Sequence, residues 1–194
     1  YHIEKALNVG REIIKWKEKD NISEEADYKM EIYCLLSMGN LFRKNGDFNN
    51  CEKLLTQALS LCKSLYKVQS FDIVEIMKNS NSSEDFSLGF HYFGMLYYKK
   101  QDYVKAKEEF MKALEIRIHV YGEKNYLVAR SYNNLGSLCN DMENYEMAEE
   151  FHLKSMKIRL DLFGEKNDDT ARSYNNLALL YTEQKKFDKA EEFF

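Results

Sequence analysis

The sequence predicts an all-α chain, an α-solenoid of stacked helix-turn-helix units, on three observations. A block of residues recurs at a fixed interval, apolar residues return every three or four positions within each unit, and small residues recur at one spot in each helix. Gly122-Glu123-Lys124-Asn125 is followed by Ala129-Arg130-Ser131-Tyr132-Asn133-Asn134-Leu135-Gly136. About 42 residues later Gly164-Glu165-Lys166-Asn167 is followed by Ala171-Arg172-Ser173-Tyr174-Asn175-Asn176-Leu177-Ala178.

Taken in order, residues 1–20 read as the second helix of an incomplete unit. Ala6 and Gly10 are its small positions, Ile13, Ile14 and Trp16 its apolar side, and Asn21 to Ala26 the following turn. Residues 27–67 form a unit marked by Met38-Gly39, Phe42, Phe48, Cys51, Leu55 and Ala58. An insertion over 68–85 ends in Asn79-Ser80-Asn81-Ser82-Ser83, a polar small-residue run that favours a mobile loop. Phe71, Ile73, Val74, Ile76 and Met77 before it are expected to extend the helix or dock locally. Units over 86–128 and 129–170 follow, then a truncated one over 171–194. The chain begins inside a helical pattern and stops partway through another, so it reads as a fragment of something longer.

Within each unit the break between helices is short and polar: Lys44-Asn45-Gly46-Asp47, Lys100-Gln101-Asp102, Asp141-Met142-Glu143-Asn144 and Gln184-Lys185-Lys186. Gly39, Gly94, Gly136 and Ala178 sit in first helices, and Ala58, Ala106, Ala113, Ala148 and Ala190 in second ones. Helices approach closely only where a side chain is nearly absent. A helix-interior glycine costs about 1 kcal/mol against alanine, so its recurrence argues for contact there. Phe48, Tyr103, Tyr145 and Phe187 open the second helices and are expected to fill the space beside the turn.

This pattern of small residues and aromatics resembles the tetratricopeptide repeat, and the longer unit with its Gly-Glu linker looks most like the repeats of kinesin light chains. Val128-Ala129 and Asn175-Asn176-Leu177-Ala178 fit that family, whereas Tyr126 and Asp168 stand where its linker carries proline. The resemblance implies a right-handed α-solenoid in which the first helices line a concave wall. Against the usual 34-residue unit, the extra length should add about two turns to the second helix. Tyr103 to Tyr121 would then project beyond its partner, ended by the left-handed backbone of Gly122.

A formal net charge of −4 from interspersed charges offers no basic field to hold nucleic acid. The longest apolar runs fall far short of the roughly 20 residues that span a bilayer, so no membrane is implied. Cys34, Cys51, Cys62 and Cys139 lack C-x-x-C spacing and read as reduced core thiols of a cytoplasmic protein. His2, His91, His119 and His152 are scattered and read as helical surface residues. With no phosphate loop or nucleophile signature, no catalytic residue, metal or cofactor is assigned, and the chain is not expected to be an enzyme.

Function is expected on the inner faces of the first helices. Arg130 with Asn134, and Arg172 with Asn176, are four apart and share a face, with Asn133 and Asn175 alongside. His91, Tyr92, Met95 and Lys99 occupy the matching face upstream, as do Leu36, Asn40, Arg43 and Lys44. Asparagine amides bond an extended backbone through both donor and acceptor, and arginine grips a carboxylate bidentately, so peptide capture is the chemistry indicated. In kinesin light chains the equivalent residues receive cargo peptides carrying an aromatic among acidic residues, and the resemblance implies a similar partner. A scaffold using the convex side, or a regulatory arm of a larger multidomain protein, is the alternative.

Overall fold

The computed structural model describes residues 24–69, 71–72, 76–77 and 80–193, and these hold helices and no strand. In chain order they are α1 (Glu24–Lys44), α2 (Phe48–Leu65), α3 (Ser80–Lys99), α4 (Tyr103–Tyr121), α5 (Tyr126–Asp141), α6 (Tyr145–Phe163), α7 (Asp168–Glu183) and α8 (Phe187–Glu191). They pair as α1 with α2, α3 with α4, α5 with α6 and α7 with α8, and each second helix packs on the first helix of the next unit. The helix expected over residues 1–20 lies outside the described residues.

The turn inside each unit is built by its backbone hydrogen bonds. After α5, Glu143 N–H donates to Asn140 C=O and Asn144 N–H to Cys139 C=O, the paired bonds of a Schellman ending. Gln101 and Asp102 repeat this after α3, and Lys185 and Lys186 after α7. Such an ending needs a left-handed residue, supplied by Gly46, Gln101, Glu143 and Lys185 with φ of 79°, 62°, 58° and 59°. The next residue caps the second helix: Asp47, Asp102 and Asn144 accept from the N–H of Asn50, Lys105 and Met147. Lys186 has no such side-chain bond.

Between units, Asn125 and Asn167 cap α5 and α7 by accepting from Leu127 and Asp169 N–H at 2.7 and 2.9 Å. These caps start the first helices three residues before the unit boundaries expected at 129 and 171. Gly122 and Gly164 have positive φ of 74° and 75°, as expected. Their ψ of 169° and 178° is extended, so the chain turns away at once rather than through a left-handed helical residue. The second helix spans Tyr103–Tyr121 as expected: α4 and α6 have 19 residues and α5 and α7 have 16, an excess of about 4.5 Å at 1.5 Å per residue.

The recurrent glycines mark one contact made three times. A Cβ on Gly39 would lie 2.9 Å from Leu55, one on Gly94 would enter the ring of Phe110, and one on Gly136 would lie 2.7 Å from the ring of His152. Side chains from more than one unit share each apolar cluster. Ala113 and Ile116 of α4 complete the cluster of α1, α2 and α3, while α4 to α8 together build the other. No helix pair closes a core alone, which is why such units stack. Phe48, Tyr103 and Tyr145 pack against these clusters as expected, but Phe187 is 63% exposed.

The segment expected as a loop over 68–85 is largely docked where it is described. Val68, Ile76 and Ser83 are buried, Phe71 meets Phe86 and Phe90 edge-on, and Tyr66 donates to the Asp85 carboxylate at 2.7 Å. The helix α3 already begins at Ser80, because Ser83 turns its hydroxyl inward to the Ile76 carbonyl at 3.2 Å.

Candidate functional site

Helices α5 and α7 border an open cleft of about 540 Å³ lined by Asn133, Asp168, Ala171, Arg172, Asn175 and Asn176. Asn176 donates its amide to the Asn133 side-chain oxygen at 2.7 Å, tying one first helix to the next. Two further bonds cross between first helices. Asn140 donates to Glu183 at 2.7 Å, and Tyr98 donates to Asp141. Burial first, then the Asp141 carboxylate, raises the Tyr98 hydroxyl above its ordinary value, so it stays a donor. The side chain of Arg172 is 73% exposed, and among the described residues its guanidinium reaches only Asp169, at 3.4 Å. The cleft thus offers amide donors and acceptors beside an exposed cation.

The expected residues separate into three groups. Asn133, Arg172, Asn175 and Asn176 are brought together at the cleft. Arg130 and Asn134 are half-buried and do not line it, and the Arg130 Nε is sealed from solvent without a partner. Upstream, Lys44 and Lys99 are exposed, Tyr92 is half-buried, Met95 packs against the second cluster, and Asn40 is occupied by Arg43 at 2.8 Å. Leu36 is fully buried and belongs to the core rather than to the wall.

His91 and His152 are corrections to the surface reading. Each is 3% exposed. His91 lies against Phe110, and His152 stands over Gly136 where Phe110 stands over Gly94 one unit earlier. Burial, then the charge of Arg159, lowers His152 to about 4, so it is neutral in the fold. A lone histidine in a repeat reads as polar surface until its alignment with Phe110 is noticed.

Buried arginines between units were not anticipated. Arg117 of α4 donates to the Ser131 hydroxyl of α5 at 2.7 Å, and Arg159 of α6 donates to the Ser173 hydroxyl of α7 at 2.8 Å and to the Asp169 carbonyl at 3.1 Å. Their signal was in the repeat, since Ile116-Arg117-Ile118 returns as Ile158-Arg159-Leu160 at the interval that carries Ser131 to Ser173. Among the described residues no cluster of histidine, cysteine and acidic side chains is arranged to hold a metal ion, and no helix is long and apolar enough to cross a membrane. Cys51, Cys62 and Cys139 are buried free thiols, and Cys34 is half-buried.

The comparisons with known proteins agree with this architecture. A family model described as tetratricopeptide repeat matches residues 88–161 and 127–194, together more than half of the chain. No curated protein sequence matches it. Among solved structures, BtubC (BKLC) from P. vanneervenii is similar with a TM-score of 0.74 at 22% identity, covering 98% of this chain and 68% of that one. A candidate kinesin light chain of P. anserina with nearly identical TPR-like repeats is similar with a TM-score of 0.51 at 12% identity, covering 84% of this chain and 90% of that one. Helix pairs stacked with glycine-mediated contacts, Schellman turns and a matching family model place this chain in the tetratricopeptide-repeat family.

Proposed function

We propose that the chain is a non-enzymatic module that holds a peptide segment of a partner protein against the inner faces of its first helices. Tetratricopeptide repeats generally mediate protein–protein interaction, and this reading adds the place and the chemistry. The observation that carries it is the cleft between α5 and α7, which Asn133, Asn175 and Asn176 line together with Arg172, whose guanidinium is exposed. An extended peptide presents N–H and C=O groups that such amides satisfy, and an acidic side chain answers the arginine. Met95, Tyr92 and Leu88, all half-buried, offer apolar contacts for an aromatic anchor. The resemblance of Val128-Ala129 and Asn175-Asn176-Leu177-Ala178 to kinesin light chain repeats points to a cargo adaptor rather than a scaffold or a regulatory arm, and such an adaptor would work in the cytoplasm.

The test is recovery of partners by wild type and by the double variant Arg130→Glu, Arg172→Glu. Arg172 is exposed, so its substitution should cost within about 0.5 kcal/mol, whereas Arg130 is half-buried with its Nε sealed from solvent, so helicity and Tm of the double variant are measured beside its partner recovery. Partner recovery should be lost. Undiminished recovery from a folded double variant rejects groove binding.

A further inference from the structure

The cleft between α5 and α7 carries a charge that its own residues do not answer. Its lining positions Asp168, Ala171, Arg172, Asn175 and Asn176 follow the three- and four-residue spacing of one helix face, so all look out from the same side of α7. Arg172 is the cation of that face, and Asp169 already meets it at 3.4 Å. Asp168 is exposed, and among the described residues its side chain makes neither an ion pair nor a hydrogen bond. With Arg172 balanced by Asp169, the charge left over at the cleft is the carboxylate of Asp168.

The helix does not need that carboxylate. Asn167 caps α7 by accepting from Asp169 N–H at 2.9 Å, and Asp169 by itself supplies the acid that a first turn favours. One unit earlier the place of Asp168 is held by Tyr126, whose uncharged ring lies against Phe163. The fold thus accepts an uncharged side chain at this position, and the charge belongs to this cleft rather than to the repeat. Nor does a neighbour neutralise it. Arg159 of α6 is committed to the Asp169 carbonyl and the Ser173 hydroxyl, and exposed Lys166, two residues earlier in the linker, does not pair with it.

We infer that Asp168 is a specificity-determining residue of the cleft, receiving a lysine or arginine side chain of the segment held there. This rests on the groove reading and narrows its partner, which is then a segment of mixed charge rather than a simply acidic one. The spacing of the two charges sets the pattern. Asp168 and Arg172 are four residues apart on one helix face, about 6 Å along the axis at 1.5 Å per residue. An extended segment advances about 3.3 Å per residue and turns every second side chain to the same side. Its basic and acidic residues therefore stand two positions apart, the base on Asp168 and the acid on the outward donors of Arg172. A segment with acids at both places is repelled by Asp168.

The experiment selects a random decapeptide display library on the full chain as wild type, Asp168→Asn and Arg172→Gln, then measures the affinity of enriched peptides by fluorescence anisotropy. Peptides enriched on wild type should carry lysine or arginine two positions from aspartate or glutamate. Asp168→Asn should keep the acidic preference and lose the basic one, and Arg172→Gln the reverse. Replacing the basic residue of a selected peptide by alanine should weaken binding to wild type about threefold, the scale of an exposed ion pair, and leave binding to Asp168→Asn unchanged. A role confined to starting α7 would alter Tm without moving this preference. If the acidic peptides lost by Arg172→Gln carry no basic residue, or keep it when selected on Asp168→Asn, the inference is overturned and the groove reading stands. If no peptide is enriched, or the enriched peptides bind all three proteins alike, the groove reading falls and the assignment of Asp168 falls with it.

Discussion

His152 shows how a single position joins packing to solution behaviour. It fills the place over Gly136 that Phe110 fills over Gly94, and burial keeps it neutral with a value lowered to about 4. An unfolded histidine titrates near 6.5, so between about 6.5 and 4 the unfolded chain takes up a proton that the fold refuses. Stability therefore falls as pH falls through that window, by about 3 kcal/mol from this residue once pH reaches 4. His152→Phe, which copies the earlier unit, should be at least as stable as wild type at pH 5. Its urea midpoint should also decline less between pH 7 and pH 4.5, with His91 leaving some acid sensitivity in both. An unchanged pH slope in His152→Phe would show that the ring is solvated.

Each helix pair depends on a turn whose geometry is repeated but whose residues are not. The left-handed position is glycine at Gly46 and an ordinary side chain at Gln101, Glu143 and Lys185. A non-glycine residue there costs about 1 to 2 kcal/mol, of which glycine's greater freedom in the unfolded chain cancels a part. Glu143→Gly should accordingly stabilise the protein by about 1 kcal/mol, seen as a higher urea midpoint with the slope unchanged. A fall in midpoint would mean that the Glu143 side chain contributes something the backbone accounting omits. The short polar breaks were legible because the cap residues Asp47, Asp102 and Asn144 follow the left-handed residue directly. The start of α3 at Ser80 was not legible. A serine-rich stretch favours a loop by local preference, and here burial of Ser83 against Ile76 outweighs it.

Across the whole molecule, contacts run from each unit to the next, so stability is close to a sum of units and interfaces. Arg159 is one such interface term, spanning from α6 to Ser173 and Asp169 of α7. Ser173 also donates to the Asp169 carbonyl at 3.3 Å, so removing Arg159 leaves it a partner. Arg159→Ala should cost about 2 kcal/mol, the scale of a charge-assisted hydrogen bond. The loss should be local. Hydrogen exchange of α7 should accelerate markedly while α3 and α4 keep their protection, whereas uniform acceleration would show that the stack unfolds as one body.

The amino-acid sequence by itself determined the helix pairs, their interval and the small-residue contacts, because each of these is a local or periodic property of the chain. Only the tertiary structure decided which polar residues of the first helices remain available. It gathered Asn133, Arg172, Asn175 and Asn176 around one cleft, sank His91 and Leu36 into the core, and buried Arg117 and Arg159 between units. The physical reason is that exposure depends on what the neighbouring unit places opposite a side chain. In a repeat protein that neighbour is set by stacking, which no single helix encodes.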